Sequence, residues 1–198
     1  MVRVIAGLAR GRKLVGPSWP GTRPISDRAK EALFAILGER VRGARVLDLF
    51  AGTGAVGIEA LSRGAAHAVL VELYSAAIGD IRRNLDRTGL AGAATVVRAD
   101  AFAYLRQRPE PFDLLFAGPP QWHDHWAAVL AALDRRRGWL APDGVAVVQL
   151  DPREHRDLPL AHLAERDRRR YGDVQLGFYS RTDSSSPRSS TVATDRVL

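Results

Sequence analysis

The stretch Val46–Gly57, with the sequence VLDLFAGTGAVG, decides the fold of this chain. Its first five residues are apolar except for Asp48, as in a strand that is buried on both faces of a parallel sheet. Three glycines follow, and residues 55–62 continue with helical character. Glycine permits positive φ and close backbone approach, and the first amides of the helix point at whatever occupies the turn. The stretch therefore predicts a strand, a ligand-binding turn and a helix.

The glycine spacing G-x-G-x-x-G leaves the class of ligand open, since it suits nicotinamide and flavin dinucleotides as well as S-adenosylmethionine. Glu72 ends a second apolar run, residues 68–71, at a place where a carboxylate can accept from the ribose hydroxyls of either class. Asp48 favours S-adenosylmethionine, because an anion beside the turn repels a pyrophosphate and attracts an ammonium or sulfonium group.

Length and composition restrict the class of protein. The 198 residues suit one α/β domain with a small appendage, and the lack of cysteine excludes a disulfide framework and a cysteine zinc site. The N-terminus has no apolar core of a signal peptide, and no run of 18 apolar residues occurs. We expect a soluble cytoplasmic protein that is a monomer, has no membrane contact and binds no metal.

The positive charge is concentrated at the front of the chain. Residues 1–45 hold ten Arg or Lys residues and three acids, a net charge of +7 that equals the net charge of the whole chain. A basic segment next to a catalytic domain suggests a polyanion, most simply nucleic acid held through its phosphates. A solvated basic face is the alternative interpretation.

The basic front half contains signals for three elements. Residues 3–6 and 13–15 alternate around a glycine-containing turn and predict a β-hairpin with basic residues near its tip. Residues 16–24 predict a linker, and Ser26 with Asp27 predicts the start of a helix that runs to about Arg40. Its predicted inner face is Ala29, Leu33, Ile36 and Leu37, and its predicted outer face is Arg28, Lys30 and Glu31.

From Arg45 onward strands and helices alternate, which predicts a parallel, doubly wound sheet. The expected strands are 45–50, 67–72, 94–98, 112–117 and 145–150, the last after a turn at residues 142–144; the expected helices are 55–63, 75–88, 101–107 and 124–136. We further expect a helix near 159–168 and an antiparallel pair around 171–180. Residues 182–198 are rich in Ser and Thr and predict disorder.

The ends of the first four strands should meet, because ligands of open α/β sheets bind where the strand order reverses. These ends carry Asp48 with the glycine turn, Glu72, Asp100, and residues 118–121. Asp100 is placed to accept from an adenine amino group while Phe102 packs on the ring, or alternatively to cap a helix.

Several motifs resemble one known family in sequence and in order. They are Arg10–Arg12, Thr22–Arg28, Glu31–Phe34, Leu47–Ala65, Asn84–Leu85, Gly138–Leu140 and Tyr171–Asp173. Together they resemble the RsmD family of 16S ribosomal RNA guanine-N2 methyltransferases over about residues 2–181. The resemblance implies a Rossmann-like S-adenosylmethionine-dependent methyltransferase fold with a small N-terminal hairpin and helix extension. It also implies methylation of one guanine amino group of 16S rRNA during assembly of the small ribosomal subunit.

The chain departs from the family pattern at the reaction centre. After the fourth strand that pattern is Asp or Asn, two prolines and an aromatic residue, whereas this chain has Gly118, Pro119, Pro120 and Gln121. By resemblance, the carboxylate or amide and a backbone carbonyl accept the two N–H bonds of the guanine amino group and steer its lone pair. The aromatic residue stacks on the flipped base. Gly118 has no side-chain acceptor, and Gln121 lacks an aromatic face.

Three interpretations follow from this departure. In the first the enzyme is active, the Gly118 carbonyl and the Gln121 amide accept the N–H bonds, and Trp122 stacks on the base. Core packing is the alternative role for Trp122. In the second, catalysis is impaired and the chain is an RNA-binding assembly factor that keeps the cofactor fold. In the third, the chain is a nicotinamide-dependent oxidoreductase, which leaves the basic front half unexplained.

The hypothesis divides the chain into a basic extension of residues 1–42 that binds RNA, a methyltransferase domain of residues 43–181, and a tail of residues 182–198. The candidate residues for S-adenosylmethionine are Asp48, Phe50, Ala51, Gly52, Thr53, Gly54, Gly57, Glu72, Asp100 and Ala101. The candidate RNA residues are Arg10, Arg12, Lys13, Arg23, Ser26, Asp27, Arg28 and Trp122. His123 and His125 flank Asp124, for which a helix cap is favoured over a metal site.

Overall fold

The computed structural model describes residues 2–17 and 25–183. Within these residues the strands are β1 Arg45–Leu49, β2 His67–Glu72, β3 Ala94–Arg98, β4 Phe112–Ala117, β5 Leu140–Leu150, β6 Leu163–Tyr171 and β7 Val174–Arg181. The helices are α1 Asp27–Leu37, α2 Ala55–Ser62, α3 Ser75–Thr88, α4 Ala101–Leu105 and α5 His125–Arg135. None of the helices formed by these residues is long and apolar enough to cross a membrane.

The strands form one sheet in the order β3-β2-β1-β4-β5-β7-β6. Strands β1 to β5 are parallel, and β7 pairs antiparallel with β5 and β6. Strand β1 lies between β2 and β4, so the winding reverses at β1, and the carboxyl ends of β1 and β4 border the crevice where such sheets bind ligands. The predicted doubly wound Rossmann-like fold is confirmed.

The apolar runs of the strands fill both faces of the sheet. Val46 and Leu70 face a core that α1, α2 and α3 help to form, while Leu47 and Leu49 face a second core that includes α4 and α5. Each fully buried aliphatic side chain of this kind contributes about 1.5–3 kcal/mol. Because both faces are covered, the strands carry continuous apolar residues, and their periodicity identified them in the sequence.

The N-terminal segment is packed on the sheet domain rather than standing free. Its hairpin has a single bridge, Arg3 to Lys13, with Val4 N–H donating to Arg12 O at 2.9 Å and Gly11 N–H donating to Val4 O at 2.8 Å. A Cβ on Gly7 would lie 1.8 Å from Ser62 O of α2, so only glycine permits this approach. The hairpin turn therefore rests directly on α2.

A buried ion pair fixes the same contact, and it corrects the predicted outer face of α1. Lys30 is 0% exposed; its ammonium lies 3.3 Å from the carboxylate of Glu59 and donates to Arg3 O at 2.5 Å. Burial lowers the pKa of Lys30, against the opposing effect of Glu59. Glu59 also accepts from Ile5 N–H. Lys30 thus points inward to a partner 29 residues away, which helical spacing cannot reveal.

The faces and the end of α1 differ from the prediction in two further ways. Ile36, predicted to face the core, is 39% exposed. The helix ends at Leu37 rather than at about Arg40, because Gly38 takes φ +53 and residues 38–41 tighten into a 3-10 turn.

The predicted helix near 159–168 is wrong: residues 163–171 form β6. The segment Leu163–Tyr171 contains four Arg with one Leu, one Ala and one Glu, all of which favour helix, but β7 is buried along almost its whole length and needs a partner on its open side. Strand β6 is the edge of the sheet, where charged side chains discourage pairing with other chains. Tertiary pairing therefore overrides local propensity.

Strand β5 also begins earlier than predicted. It starts at Leu140 and includes residues 142–144, which the sequence predicted as a turn. The register between β4 and β5 shifts between Phe112 and Leu114, so the strand accommodates Pro142–Gly144 as an irregularity in its first half. The predicted antiparallel pair at the end of the chain is confirmed, with β6 starting earlier than expected.

Candidate active site

The glycine turn links β1 to α2 through a run of unusual backbone conformations. Phe50, Gly52 and Gly54 have φ values of +60, +58 and +76. A Cβ on Gly54 or on Gly57 would lie 3.0 Å from the side chain of Leu70 in β2. The turn is thus held tightly against its neighbouring strand, which explains why glycine occupies both positions.

Asp48 lies under this turn. It is 1% exposed, and its carboxylate accepts from Gly57 N–H at 2.9 Å. Burial raises the pKa of Asp48 to about 7, against the lowering effect of the Gly57 bond, and the charge of Glu72 raises it further. A cation beside Asp48 would therefore be stabilised by a carboxylate that has few other partners.

Glu72 ends β2 and is fixed by three amides. One carboxylate oxygen accepts from Gly52 N–H at 2.9 Å, and the other accepts from Leu73 N–H at 2.7 Å and Tyr74 N–H at 2.9 Å. The side chains of Leu73 and Tyr74 are 48% and 63% exposed. Sequence reasoning missed these two apolar side chains, although their position directly after the strand-ending acid was a usable signal.

Asp100 caps α4, because its side chain accepts from Ala103 N–H at 2.8 Å. The helix-cap role is therefore present, and the contact to adenine stays a prediction. Ala101 is buried at the first position of α4. Phe102 packs edge-on against Phe50 with ring centroids 5.9 Å apart, so the ends of β1 and β3 are joined by an aromatic contact beside the turn.

The glycine turn is also tied to the N-terminal segment. Asn84 of α3 is fully buried; its Nδ2 donates to Thr53 O at 3.0 Å and its Oδ1 accepts from Val15 N–H at 2.6 Å. One side chain thus bridges the turn and the end of the basic hairpin segment. The sequence marked Asn84 only as part of a resemblance, without indicating this contact.

Residues 118–121 follow β4 at the same end of the parallel strands as the glycine turn. Gly118 N–H donates to Leu49 O at 3.4 Å, which places this segment beside the end of β1. Pro119 is buried, Pro120 is exposed and Gln121 is partly exposed. Gly118 does not have a positive φ, so the backbone does not require glycine, but a Cβ there would lie 3.1 Å from the ring of Phe116.

Trp122 is 57% exposed, so the alternative of core packing is wrong. Its φ is +67, its N–H donates to a carboxylate oxygen of Glu154 at 2.7 Å, and the Arg153 guanidinium lies 4.7 Å from its ring centroid. Sequence reasoning missed Arg153 and Glu154, because they follow β5 and only the sheet brings them near the end of β4.

The predicted cap by Asp124 is also wrong. Asp124 occupies the position before α5 but makes no side-chain cap bond, and its carboxylate pairs with Arg156 at 2.5 Å. Its φ is +53, a left-handed conformation.

The candidate RNA residues lie on the N-terminal segment and α1. Arg10, Arg12, Lys13 and Arg28 are all exposed, and Arg12 donates to Arg87 O at 2.9 Å. Ser26 caps α1 by accepting from Ala29 N–H at 3.2 Å, and Asp27 pairs with Arg3 at 3.3 Å. Arg23, the linker beyond Pro17 and the tail beyond Asp183 lie outside the described residues.

Comparison with known proteins agrees with this geometry. A family described as conserved hypothetical protein 95 matches residues 2–180. Ribosomal RNA small subunit methyltransferase D of Escherichia coli (strain K12) is 40% identical over 148 residues, which are 75% of this chain and 74% of the relative. The protein of the same name from Haemophilus influenzae is 36% identical over 162 residues, covering 80% of this chain and 81% of the relative.

A solved structure of a hypothetical protein from Thermus thermophilus superposes with a TM-score of 0.76 at 36% identity, covering 91% of this chain and 99% of that one. The resemblance drawn from the motifs is thereby confirmed, and the chain belongs to the RsmD family, whose model is described as conserved hypothetical protein 95.

Proposed function

We propose that this chain transfers a methyl group from S-adenosyl-L-methionine to the exocyclic N2 amino group of a guanine in 16S rRNA. It acts on the small ribosomal subunit during assembly, and hence in the cytoplasm. Membership of the RsmD family supports rRNA methylation, since the relatives in Escherichia coli and Haemophilus influenzae are named as small-subunit rRNA methyltransferases. The choice of donor and of reacting atom rests on the residues of this chain.

The observation that carries the proposal is that the backbone amides of the glycine turn already donate hydrogen bonds within the protein. Gly52 N–H donates to Glu72, Gly57 N–H donates to Asp48, and Gly54 N–H donates to Ala51 O. A pyrophosphate needs such amides free, whereas here two of them hold carboxylates. The turn therefore presents negative charge, which suits a cationic ligand and disfavours a dinucleotide.

The residues present fit S-adenosyl-L-methionine. Asp48 lies where an ammonium or sulfonium charge would be stabilised, and Glu72 lies where ribose hydroxyls can donate to a carboxylate that is already oriented. Phe50, Ala51 and Thr53 belong to the same turn, and Asp100 and Ala101 follow the end of β3. When bound, this ligand supplies an electrophilic methyl group on sulfur.

The segment after β4 positions the acceptor. The amino nitrogen of guanine is a poor nucleophile because its lone pair is delocalised into the ring. The Gly118 carbonyl and the Gln121 side-chain amide are the acceptors for its two N–H bonds, so the lone pair is directed at the methyl group. Pro119 and Pro120 restrict the backbone between these acceptors. Alignment, rather than a strong base, is what these residues contribute.

The basic front half holds the RNA. Arg10, Arg12, Lys13 and Arg28 reach solvent, and the segment is anchored through Asn84 to the same turn that binds the donor. Their contacts with phosphates position the RNA without selecting a base. Arg23 belongs to the same proposal, as do Ser26 and Asp27 at the start of α1.

A second function has one specific observation in its favour. Gly118 offers no side-chain acceptor, and the Phe116 ring fills the space next to its Cα. An RNA-binding assembly factor that binds the donor without turnover would tolerate this arrangement.

The test is radiolabelled methyl transfer to hypomethylated small subunits and to naked 16S rRNA, followed by digestion and nucleoside identification. Label in N2-methylguanosine supports the proposal, and Asp48→Ala should abolish it. Asp113→Ala is the matched control, because Asp113 is an exposed acid at the amino end of β4. Donor binding by calorimetry without any label in either RNA would support the assembly factor instead.

A further inference from the structure

Trp122 combines two features that a surface residue rarely combines. It is the second most exposed of the large apolar and aromatic side chains at this edge of the sheet, at 57%, after Tyr74 at 63%. It also has φ +67, a conformation that costs a bulky residue about 1–3 kcal/mol. Neither the exposure nor the strain stabilises the fold, so the arrangement points to a role in binding.

Neighbouring groups hold Trp122 in this conformation. Its N–H donates to Glu154 at 2.7 Å, and the guanidinium of Arg153 lies 4.7 Å from the ring centroid. A cation over an exposed indole ring contributes about 0.5–1 kcal/mol. The two contacts come from one short segment and fix both the backbone and the ring of Trp122.

Arg153 is itself fixed by a buried acid. Asp151 is 4% exposed, and it accepts from Arg153 Nε at 3.0 Å and from Nη2 at 2.9 Å in a two-pronged ion pair. The Arg153 side chain is nevertheless 74% exposed. The guanidinium is thus held on one side by Asp151 while the side chain as a whole stays open to solvent.

The sheet brings Trp122 and Arg153 beside the proposed reaction centre at Gly118. Strands β4 and β5 are parallel neighbours with Ala117 opposite Val148. Trp122 follows β4 by five residues and Arg153 follows β5 by three, so both stand at the carboxyl edge that carries Gly118. A base that binds beside Gly118 would therefore lie near the aromatic ring of Trp122 and the cation of Arg153, at the same end of the parallel strands.

We propose that Trp122 and Arg153 form a preset platform, on which the target nucleotide stacks through its base while Arg153 contacts its phosphate or a base oxygen. This inference rests on the proposed function, which supplies the nucleotide. Stacking on an aromatic residue replaces the base pairing that a flipped base loses. A tryptophan locked before binding forfeits little conformational entropy when the base arrives.

The first experiment measures methyl-transfer kinetics with hypomethylated small subunits. Trp122→Ala should lower kcat/KM for RNA by about 30-fold, and Trp122→Phe should stay within about 3-fold of wild type. Arg153→Lys keeps the charge but loses the planar fork, so it should cost about 5-fold. The affinity for the methyl donor should stay unchanged in all three. A loss in Trp122→Ala that equals the loss in Trp122→Phe, or no loss in either, overturns the platform.

The matched control is Arg45→Lys. Arg45 also lies over an aromatic ring, 5.3 Å from the centroid of Phe112, and pairs with an acid, Glu110. It stands at the amino end of β1, at the opposite end of the parallel strands from Arg153. Its substitution should leave kcat/KM for RNA unchanged. A loss equal to that of Arg153→Lys would mean that the Arg153 effect comes from any loss of a ring-stacked arginine and not from the platform.

A second measurement does not need turnover. The measurement uses a Trp19→Phe protein, because Trp19 lies outside the described residues and would add its own signal. Stacking on RNA should quench the tryptophan fluorescence of this protein when naked 16S rRNA is added, and the further change Trp122→Phe should remove most of that quench, because Trp126 and Trp139 are buried. If the quench depends on Trp122 but no methyl is transferred, the proposed function fails and the platform stands. An equal quench in both proteins overturns the platform, whether or not methyl is transferred.

Discussion

The two halves of the candidate site are built in different ways. In the donor half, the turn after β1 is closed by bonds between backbone amides and the carboxylates of Asp48 and Glu72, and it is packed against Leu70. In the acceptor half, Gln121 is partly exposed and Trp122 is exposed, and Trp122 is held by Glu154 and Arg153 of the segment after β5. The donor half is a local structure of a few dozen residues, whereas the acceptor half exists only once the sheet has formed.

The difference predicts that the halves can be disabled separately, with the largest effect in the donor half. Asp48→Ala removes the buried carboxylate that holds the Gly57 amide of the turn and should weaken S-adenosylmethionine binding by at least about 100-fold, or about 2.7 kcal/mol. Calorimetric titration measures this, with Asp113→Ala as the exposed control. RNA affinity should stay within about 2-fold of wild type, because Asp48 is buried. Equal loss of both affinities would mean that the two halves fold as one unit.

The basic hairpin should affect only RNA. Replacing Arg10, Arg12 and Lys13 together with Gln should lower affinity for naked 16S rRNA about 20-fold at low salt and reduce the slope of log affinity against log salt by about 2. Filter binding at several salt concentrations measures both quantities. Arg106 and Arg108, which are also exposed and precede β4, provide the control pair. An unchanged slope would remove the hairpin from the RNA surface.

Locality also explains how much of the molecule the sequence could predict. Strands β1 to β4 and the donor turn follow from apolar runs, glycine spacing and strand-ending acids, all readable within short windows. The burial of Lys30 against Glu59, the conversion of residues 163–171 into an edge strand, and the pairing of Trp122 with Arg153 each depend on partners brought close by the tertiary structure. For Lys30 and Trp122 the partners are separated by about 30 residues, beyond the reach of periodicity. Arg23 lies outside the described residues, so its role stays a prediction.

The charge of Asp48 gives the donor half a pH dependence. Burial raises the pKa of Asp48 to about 7, above its value of about 3.9 in an unfolded chain. Its contribution to stability is therefore fully present below about pH 4 and is lost as pH rises through 7, because the unfolded state releases the proton first. Unfolding of the protein without ligand should show this trend, and Asp48→Asn should remove it.

Binding should follow the opposite trend, because a cationic ligand needs the ionised carboxylate. Affinity for S-adenosylmethionine should rise about 5-fold from pH 6 to pH 7, the increase in the ionised fraction of a group with pKa near 7. Calorimetry in two buffers of different ionisation enthalpy should also detect proton release on binding. A flat profile in the wild-type protein would mean that the ligand charge does not lie beside Asp48.

The smallest expected effect separates two views of the acceptor half. A Cβ at Gly118 would lie 3.1 Å from the ring of Phe116, so Gly118→Asn must displace that ring, although the backbone allows the change. If Gly118 O, Gln121 and the Trp122 platform form a working arrangement of their own, Gly118→Asn should lower kcat about 3-fold, and adding Phe116→Leu should restore it by relieving the contact. If the chain instead lacks a needed acceptor, Gly118→Asn with Gln121→Tyr should raise kcat. The sign of the change in kcat therefore decides between the two views. A fall means that Trp122 performs the role that the family pattern gives to position 121, and a rise means that the segment lacks an acceptor that catalysis needs.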